Sequence, residues 1–375
     1  MMSVTGVLLT YQKQMNQWAD REFWTPPAEA GVTAPLSSFV TTAEAYDAEA
    51  TVSSIVFHTG DDGPVAASIG SGRILYMDPS TAEVRGENNT GMRSFLTATM
   101  RWHRWFAASG DDRATYRAIT GWSNIVFLFL VLSGLYLWFP RKWTAQHLRP
   151  ILKLNPKARG KARDFNWHHV FGFWASIPLA IVVASATVIS FPWASDLAYR
   201  VVGDTPPQRA AARSAPARGT TTARALLSTP VSDAPVRAEV APTPFDPADL
   251  DPILEPALSR LDEWRAVTVR VPSEAGTPVE VRVEQGWGGE PQKRHTLRYE
   301  AGTGREMSYQ TFADQSRGRR FRTFLRFAHT GEYFGMAGQT IAGLASLAGV
   351  LLVWSGFALA WRRLVGPLLR RGAAA

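Results

Sequence analysis

Three stretches of this chain, 118–140, 165–195 and 333–361, contain no Asp, Glu, Lys or Arg. Each exceeds the roughly 18–20 apolar residues that carry a helix across a hydrocarbon core. Their centres read FLFLVLSGLYLWF, PLAIVVASATVISF and IAGLASLAGVLLVWSGFAL. Charge inside lipid is costly, so uninterrupted runs of this length set the fold class. The expected architecture is a membrane α-helical bundle with three full spans. The remainder of the 375 residues is long enough for one or two further domains.

Charge placement orients the spans. Between 141 and 163 lie eight Lys/Arg and no acid, and Arg362, Arg363, Arg370 and Arg371 follow the last run, again without an acid. Short basic flanks mark the cytoplasmic side of a membrane. The first span then runs inward, the second returns, and the third ends inside. Segments 12–117 and 196–332 fall on the extracytoplasmic side. The net charge of +8 is thereby assigned to orientation, and no nucleic-acid partner is expected. The stretch 3–11 is apolar but spans only about 13 Å as a helix, too short to cross. It is expected to be the remnant of a truncated first helix.

The chain has no cysteine, which excludes disulfides, thiolate-held haem, cysteine-held iron–sulfur clusters and cysteine-rich zinc sites. Any metal chemistry must use histidine or oxygen. Outside the spans, TVSSIVFH and RILYMD alternate as half-buried strands do, with turn residues between them. GMRSFLTATMRWHRWFAASG has helical spacing. Segment 204–247 holds eight prolines and reads as a linker. After it, LDPILEPALSRLDEW predicts a helix, and AVTVRV, TPVEVRVEQ and HTLRYE predict strands. DPSTAEVRG and YEAGTGREM both place a strand, a turn and a strand, so the two outer segments read as weak copies of one module.

Histidine placement carries the functional reading. His103, in RWHRWF, precedes the first span, and His329, in RFAHTGEYFGMAGQ, precedes the last. Both fall at the outer interface. His168 and His169 lie at the inner end of the middle span, roughly 30 Å away. Haem suits two imidazoles on facing helices, and a doubly ligated iron favours electron transfer over oxygen chemistry. Arg101, Arg104, Arg117, Arg322 and Arg326 stand close enough to hold propionates, with Trp102, Trp105, Phe106, Phe327, Tyr333 and Phe334 as candidate walls. An interfacial histidine is more often a hydrogen-bonded anchor, and interfacial arginine and tryptophan are common in membrane proteins. The conjunction is what points to haem. Adjacent His168 and His169 diverge by about 100° on a helix, so one of them, His168 or alternatively His169, can face a given iron. His58, His147 and His295 are read as ordinary loop or strand residues.

At LSGLYLWFPRKW (132–143), NWHHVFGFWASIPLAIVVASATVISFPW (166–193), RFAHTGEYFGMAGQTIAGLASLAGVLLVWSGFALAWRR (326–363) and RWHRWF the chain resembles the PepSY-associated transmembrane family. Iron-uptake members of ferric-siderophore reductase type are the nearest in pattern. The resemblance implies a bacterial inner-membrane protein with a four-helix core, extracytoplasmic α+β PepSY-like modules and two b-type haems. It also implies reduction of a ferric siderophore on the periplasmic face with electrons from a cytoplasmic or quinol donor. Family members begin with a histidine-bearing basic segment. Here the expected outer haem pairs His103 with His329, and the inner one retains His168 alone. The alternative expectation is a non-enzymatic, membrane-anchored PepSY binding or regulatory protein. The expected segments are a first-helix remnant (1–11), a PepSY-like module with an amphipathic helix (12–113), a span (114–140), a basic loop (141–164) and a second span (165–195). A proline-rich linker (196–247), a second module (248–332) and a last span with its tail (333–375) complete the chain. Membrane lipid is the one further partner expected.

Overall fold

The computed structural model describes residues 1–29, 33–60, 63–70, 72–138, 144–207 and 244–365, with backbone alone at 147. The first half runs α1 (Met2–Leu9), α2 (Gln12–Ala19), α3 (Leu36–Tyr46), β1 (Val52–His58), β2 (Val65–Ile69), β3 (Arg73–Met77), β4 (Val84–Glu87), α4 (Thr90–Trp105) and α5 (Asp112–Trp138). A short helix, α6 (Ala145–Leu152), leads to the second half. That half runs α7 (Gly160–Ser190), α8 (Pro192–Val201), α9 (Asp251–Ser259), β5 (Ala266–Arg270), β6 (Val279–Glu284), β7 (Arg294–Tyr299), β8 (Glu306–Thr311), α10 (Arg317–Thr330) and α11 (Gly335–Leu364).

Among the described residues three helical segments are long and apolar enough to cross a membrane: Asp112–Trp138, Gly160–Ser190 and Glu332–Leu364. α7 packs against both α5 and α11, and α1 packs against α4 and α11. Polar contacts tie the bundle. Asn124 donates to the Val183 carbonyl and to Thr187 Oγ1, both at 2.9 Å. At the end away from the sheet, fully buried Asp164 pairs with Arg163 and with Arg362, each at 3.0 Å. The basic segment expected as a loop contains α6, because Asn166 clamps it to α7. The Asn166 amide donates to the carbonyls of Pro150 and Lys153 and accepts from Asn155 N–H. The expected linker also begins too early, since α8 continues to Val201. Segment 208–243 and the tail from 366 lie outside the described residues.

Among the described residues eight strands form one antiparallel sheet in the order β4-β3-β2-β1-β5-β6-β7-β8. The segments expected as two modules are therefore two halves of one sheet, joined where β1 pairs with β5, Val56 opposite Thr268. Val267, Val269, Val279, Val281 and Val283 point to one face at period two and are fully buried. On β1 an irregularity between Val52 and Ser54 shifts the alternation, so Val52, Ile55 and Phe57 all reach that face. Leu36, Phe39 and Val40 of α3 and Ile253 and Ala257 of α9 cover it.

Chain order and sheet order together expose an internal repeat. Each half consists of a helix packed in the bundle (eight residues in the first half, a full span in the second), a short helix, a covering helix, four strands, an amphipathic helix and a span. The two halves meet across a pseudo-two-fold axis between β1 and β5. In α1 the Thr5 hydroxyl donates to the Met2 carbonyl (3.1 Å), and in α7 the Ser185 hydroxyl donates to Val182 (2.9 Å). Both pairs are offset by 180 positions, as are Gln12 and Pro192, the first residues of α2 and α8.

Asp78 anchors the β3–β4 turn. It accepts from Ala28 N–H (2.9 Å), Ser80 N–H (2.8 Å) and Ser80 Oγ (2.5 Å), and pairs with Arg85 at 2.8 Å. Burial alone raises its pKa, but the Ser80 and Arg85 side chains and the Ser80 and Ala28 N–H groups outweigh it and hold it far below the usual 3.8. A depressed carboxyl stabilises the fold above its unfolded value and loses that contribution as pH falls below it. Melting followed by tryptophan fluorescence should drop on acidification below about pH 4, and Asp78→Ala should flatten that limb while lowering the neutral plateau.

Candidate functional site

α4 and α10 are equivalent in the repeat, and each delivers one histidine. Asn89 caps α4 by accepting from Met92 N–H (2.9 Å), and Ser316 caps α10 by accepting from Arg319 N–H (3.3 Å). Both helices end in a left-handed residue that turns the chain into the following span: Phe106 at φ 54° and Gly331 at φ 76°. Non-glycine residues enter that region at a cost, and Ala107 shares it at φ 59°. At 331 only glycine fits, since a Cβ there would lie 2.2 Å from the Gly338 carbonyl oxygen. His103 and His329 sit in the last turns before these caps.

The two imidazoles converge with ring centres 6.3 Å apart and planes at 53°. His329 Nδ1 lies 2.9 Å from the Val182 carbonyl. A carbonyl only accepts, so Nδ1 carries the proton and Nε2 offers its lone pair. His103 Nδ1 lies 2.9 Å from Thr5 Oγ1. The Thr5 hydroxyl already donates to Met2 O, so it accepts from His103, whose Nε2 is likewise left free. These are the outer hydrogen bonds that metal-ligating histidines make through the nitrogen not bound to metal. A metal–imidazole bond is about 2 Å and a ring nitrogen lies roughly 1 Å from the ring centre. Two imidazoles on opposite sides of one ion therefore hold their centres about 6 Å apart. The pair matches that spacing.

Cations gather beside the rings. Burial, then the guanidiniums of Arg117, Arg113 and Arg326, push the Arg104 pKa below its usual value. Among the described residues none of these four arginines has a carboxylate partner. Arg113 and Arg104 lie over the Trp105 ring, 4.0 and 4.8 Å from its centre. Arg104, Arg117 and Arg326, expected from sequence, thus meet in one cluster, and Arg113 joins them. Arg101 is exposed on α4 and outside it. Of the expected aromatic walls, Tyr333 and Phe334 pack with Phe324 and Trp105 lies under the arginine cluster; among the described residues no aromatic ring stacks on either imidazole.

At the far end of the bundle His168 Nδ1 lies 2.9 Å from Ser355 Oγ on α11. Ser355 donates its own proton to Leu351 O (2.7 Å), so His168 also presents a free Nε2. His169 turns to the Phe165 ring, 4.3 Å between centres. No histidine from another element lies against His168 among the described residues. About 14 helical residues, or ~21 Å, separate it from Val182.

Sequence reading missed Thr5, Val182, Ser185, Ser355 and Arg113. The repeat could have found the first three, because TGVLLTY (5–11) aligns with SATVISF (185–191). Among the described residues no group of three or more His, Asp and Glu converges as a conventional metal site would require. Two imidazoles with free Nε2 atoms and cations beside them would fit a group that brings further ligands of its own, as haem does.

No curated protein matches this chain. A family model does, that of the PepSY-associated TM region, over residues 1–363. The match takes in both halves of the sheet and all three spans, and the chain belongs to the PepSY-associated TM region family.

Proposed function

We propose that this chain is a b-type haem electron-transfer protein of the bacterial inner membrane that reduces a ferric siderophore or similar chelate on the side of the sheet. The observation that carries the proposal is the His103–His329 pair, with ring centres 6.3 Å apart and both Nδ1 atoms engaged. His103 and His329 would hold the iron, and Arg104, Arg113, Arg117 and Arg326 would neutralise the propionates. When bound, the group supplies reversible one-electron chemistry without an open coordination position.

The protein's own residues bind, orient and insulate. Thr5 and the Val182 carbonyl fix the ring tautomers and raise ligand basicity. No general acid or base is needed. The basic flanks at the far end, Arg163 and Arg362 among them, support a cytoplasmic placement of that end and a periplasmic one for the sheet. His168 marks where an electron from a cytoplasmic or quinol donor would enter. One electron delivered to a ferric chelate leaves Fe(II), which hard oxygen ligands hold less tightly, so reduction releases the metal for uptake.

The deciding measurement is spectroscopic. Full-length protein purified from haem-replete cells should show a low-spin, bis-imidazole b-type spectrum; once reduced with dithionite and freed of excess reductant, the ferrous haem should return to the ferric form on mixing with a ferric chelate, one electron per iron reduced. A colourless preparation, or activity that survives loss of both histidines, would instead favour a membrane-anchored binding module.

A further inference from the structure

We infer that a groove on α10 binds a small anionic chelate bearing aryl rings, of the ferric catecholate class. The inference rests on the reading above only for the identity of the bound metal. The groove is shallow and open, about 390 Å³ between the end of β8, α10 and the turn before α11, and Arg317, Arg320, Phe321, Phe324, Phe312 and Tyr333 line it. An open groove of this volume has room to seat a small molecule along one side.

Its two ends differ in chemistry. Positions 317, 320, 321 and 324 form one stripe at helical spacing, with guanidiniums towards the start of α10 and rings towards its end. Phe321 and Phe324 lie 6.4 Å apart and nearly parallel, and Tyr333 meets Phe324 edge-on at 4.8 Å. Phe334, 64% exposed, extends the cluster at 5.2 Å from Tyr333. Such rings offer both faces and edges to an aryl ligand.

The charge is one-sided. α10 carries Arg317, Arg319, Arg320, Arg322 and Arg326 and no acid. None forms an ion pair among the described residues, and Arg322 donates to Ser195 Oγ instead. Asp204 and Asp314, which accept from Gly318 N–H and Thr311 N–H, keep their charges but leave the five arginines of α10 in excess. The positive end of the helix dipole adds to the same field. A cationic chelate is repelled here, whereas an anionic one is drawn in and stacked.

The test uses the full chain in phosphatidylcholine nanodiscs, titrated calorimetrically with iron(III)–2,3-dihydroxybenzoate and, separately, neutral iron(III)–acetohydroxamate. The catecholate should bind at least about tenfold more tightly. Arg317→Gln/Arg320→Gln should remove that margin, and Phe324→Leu, which keeps apolar bulk, should reduce it about threefold to tenfold. Equal affinity for the two chelates, or an arginine double variant that binds the catecholate as wild type does, overturns the inference. So does retention of phosphatidylglycerol by wild type and its loss by the double variant with catecholate binding unchanged, which would make the groove a lipid site. Binding is read without haem. A colourless protein that discriminates the chelates defeats the haem reading alone, and a haem-loaded one that does not discriminate defeats this inference alone.

Discussion

Replacing either His103 or His329 with alanine is expected to abolish the bis-imidazole signal while leaving the sheet folded. Each ring supplies one of two axial nitrogens, so the surviving partner leaves a singly ligated, high-spin species or an empty site. Free imidazole soaked into either variant should restore the low-spin spectrum, which a merely misfolded protein cannot do. His168→Ala should leave this outer signal intact, since His168 is ~21 Å along α7 from the contact with His329. The positioning residues rank below the histidines. His103 has the Thr5 hydroxyl at 2.9 Å and a hydrogen bond to the Met2 backbone, as His329 has the Ser185 hydroxyl at 3.4 Å and the Val182 carbonyl at 2.9 Å. Each ring keeps a carbonyl partner when its hydroxyl is removed, so Thr5→Ala and Ser185→Ala should each weaken haem retention less than about tenfold. An unchanged spectrum in either histidine variant would remove the basis for the haem site.

What could be read from sequence was local. Charge-free runs, basic flanks and alternating valines each report on a single element, and the amphipathic helices ending in His103 and His329 showed their ends in the same way. Pairing of β1 with β5 could not be seen, because Ser54 and Arg270 meet across the whole middle of the chain and such contacts leave no local period. The hydroxyls escaped for a different reason. Thr5, Ser185 and Ser355 sit within apolar helices, where a small residue usually means close helix packing. Their role appears only once an imidazole stands opposite. Arg113 lay beyond the break after α4, at the very end of the segment read as the first module, with no histidine beside it in sequence. α6 was hidden by its charge and by Pro150, both of which read as loop until Asn166 is seen holding the helix end.

The largest loss of stability is expected at Asp20, not within the bundle. Its carboxylate is 1% exposed and joins three elements. Oδ1 accepts from Asn89 N–H at the start of α4 (2.7 Å), and Oδ2 accepts from Tyr76 Oη on β3 (2.9 Å) and from Arg93 of α4 (2.8 Å). Burial, and then the Asp20 charge, push the Tyr76 phenol far above its usual range, so this cluster never sheds its donors at physiological pH. Asp20→Ala strands a half-buried guanidinium, a buried hydroxyl and a cap N–H together, at a cost of about 3–5 kcal/mol, or roughly 10 °C in melting temperature. Asp20→Asn keeps an acceptor for Asn89 but turns amide hydrogens towards Arg93 and Tyr76, costing about 1–3 kcal/mol. Asp204 holds the equivalent place in the second half, accepting from Gly318 N–H at the start of α10 (2.7 Å). It is solvated, so water replaces the lost carboxylate and Asp204→Ala should move the melting temperature far less. A shift at Asp204 equal to that at Asp20 would mean that topology, and not burial, sets the cost of these anchors.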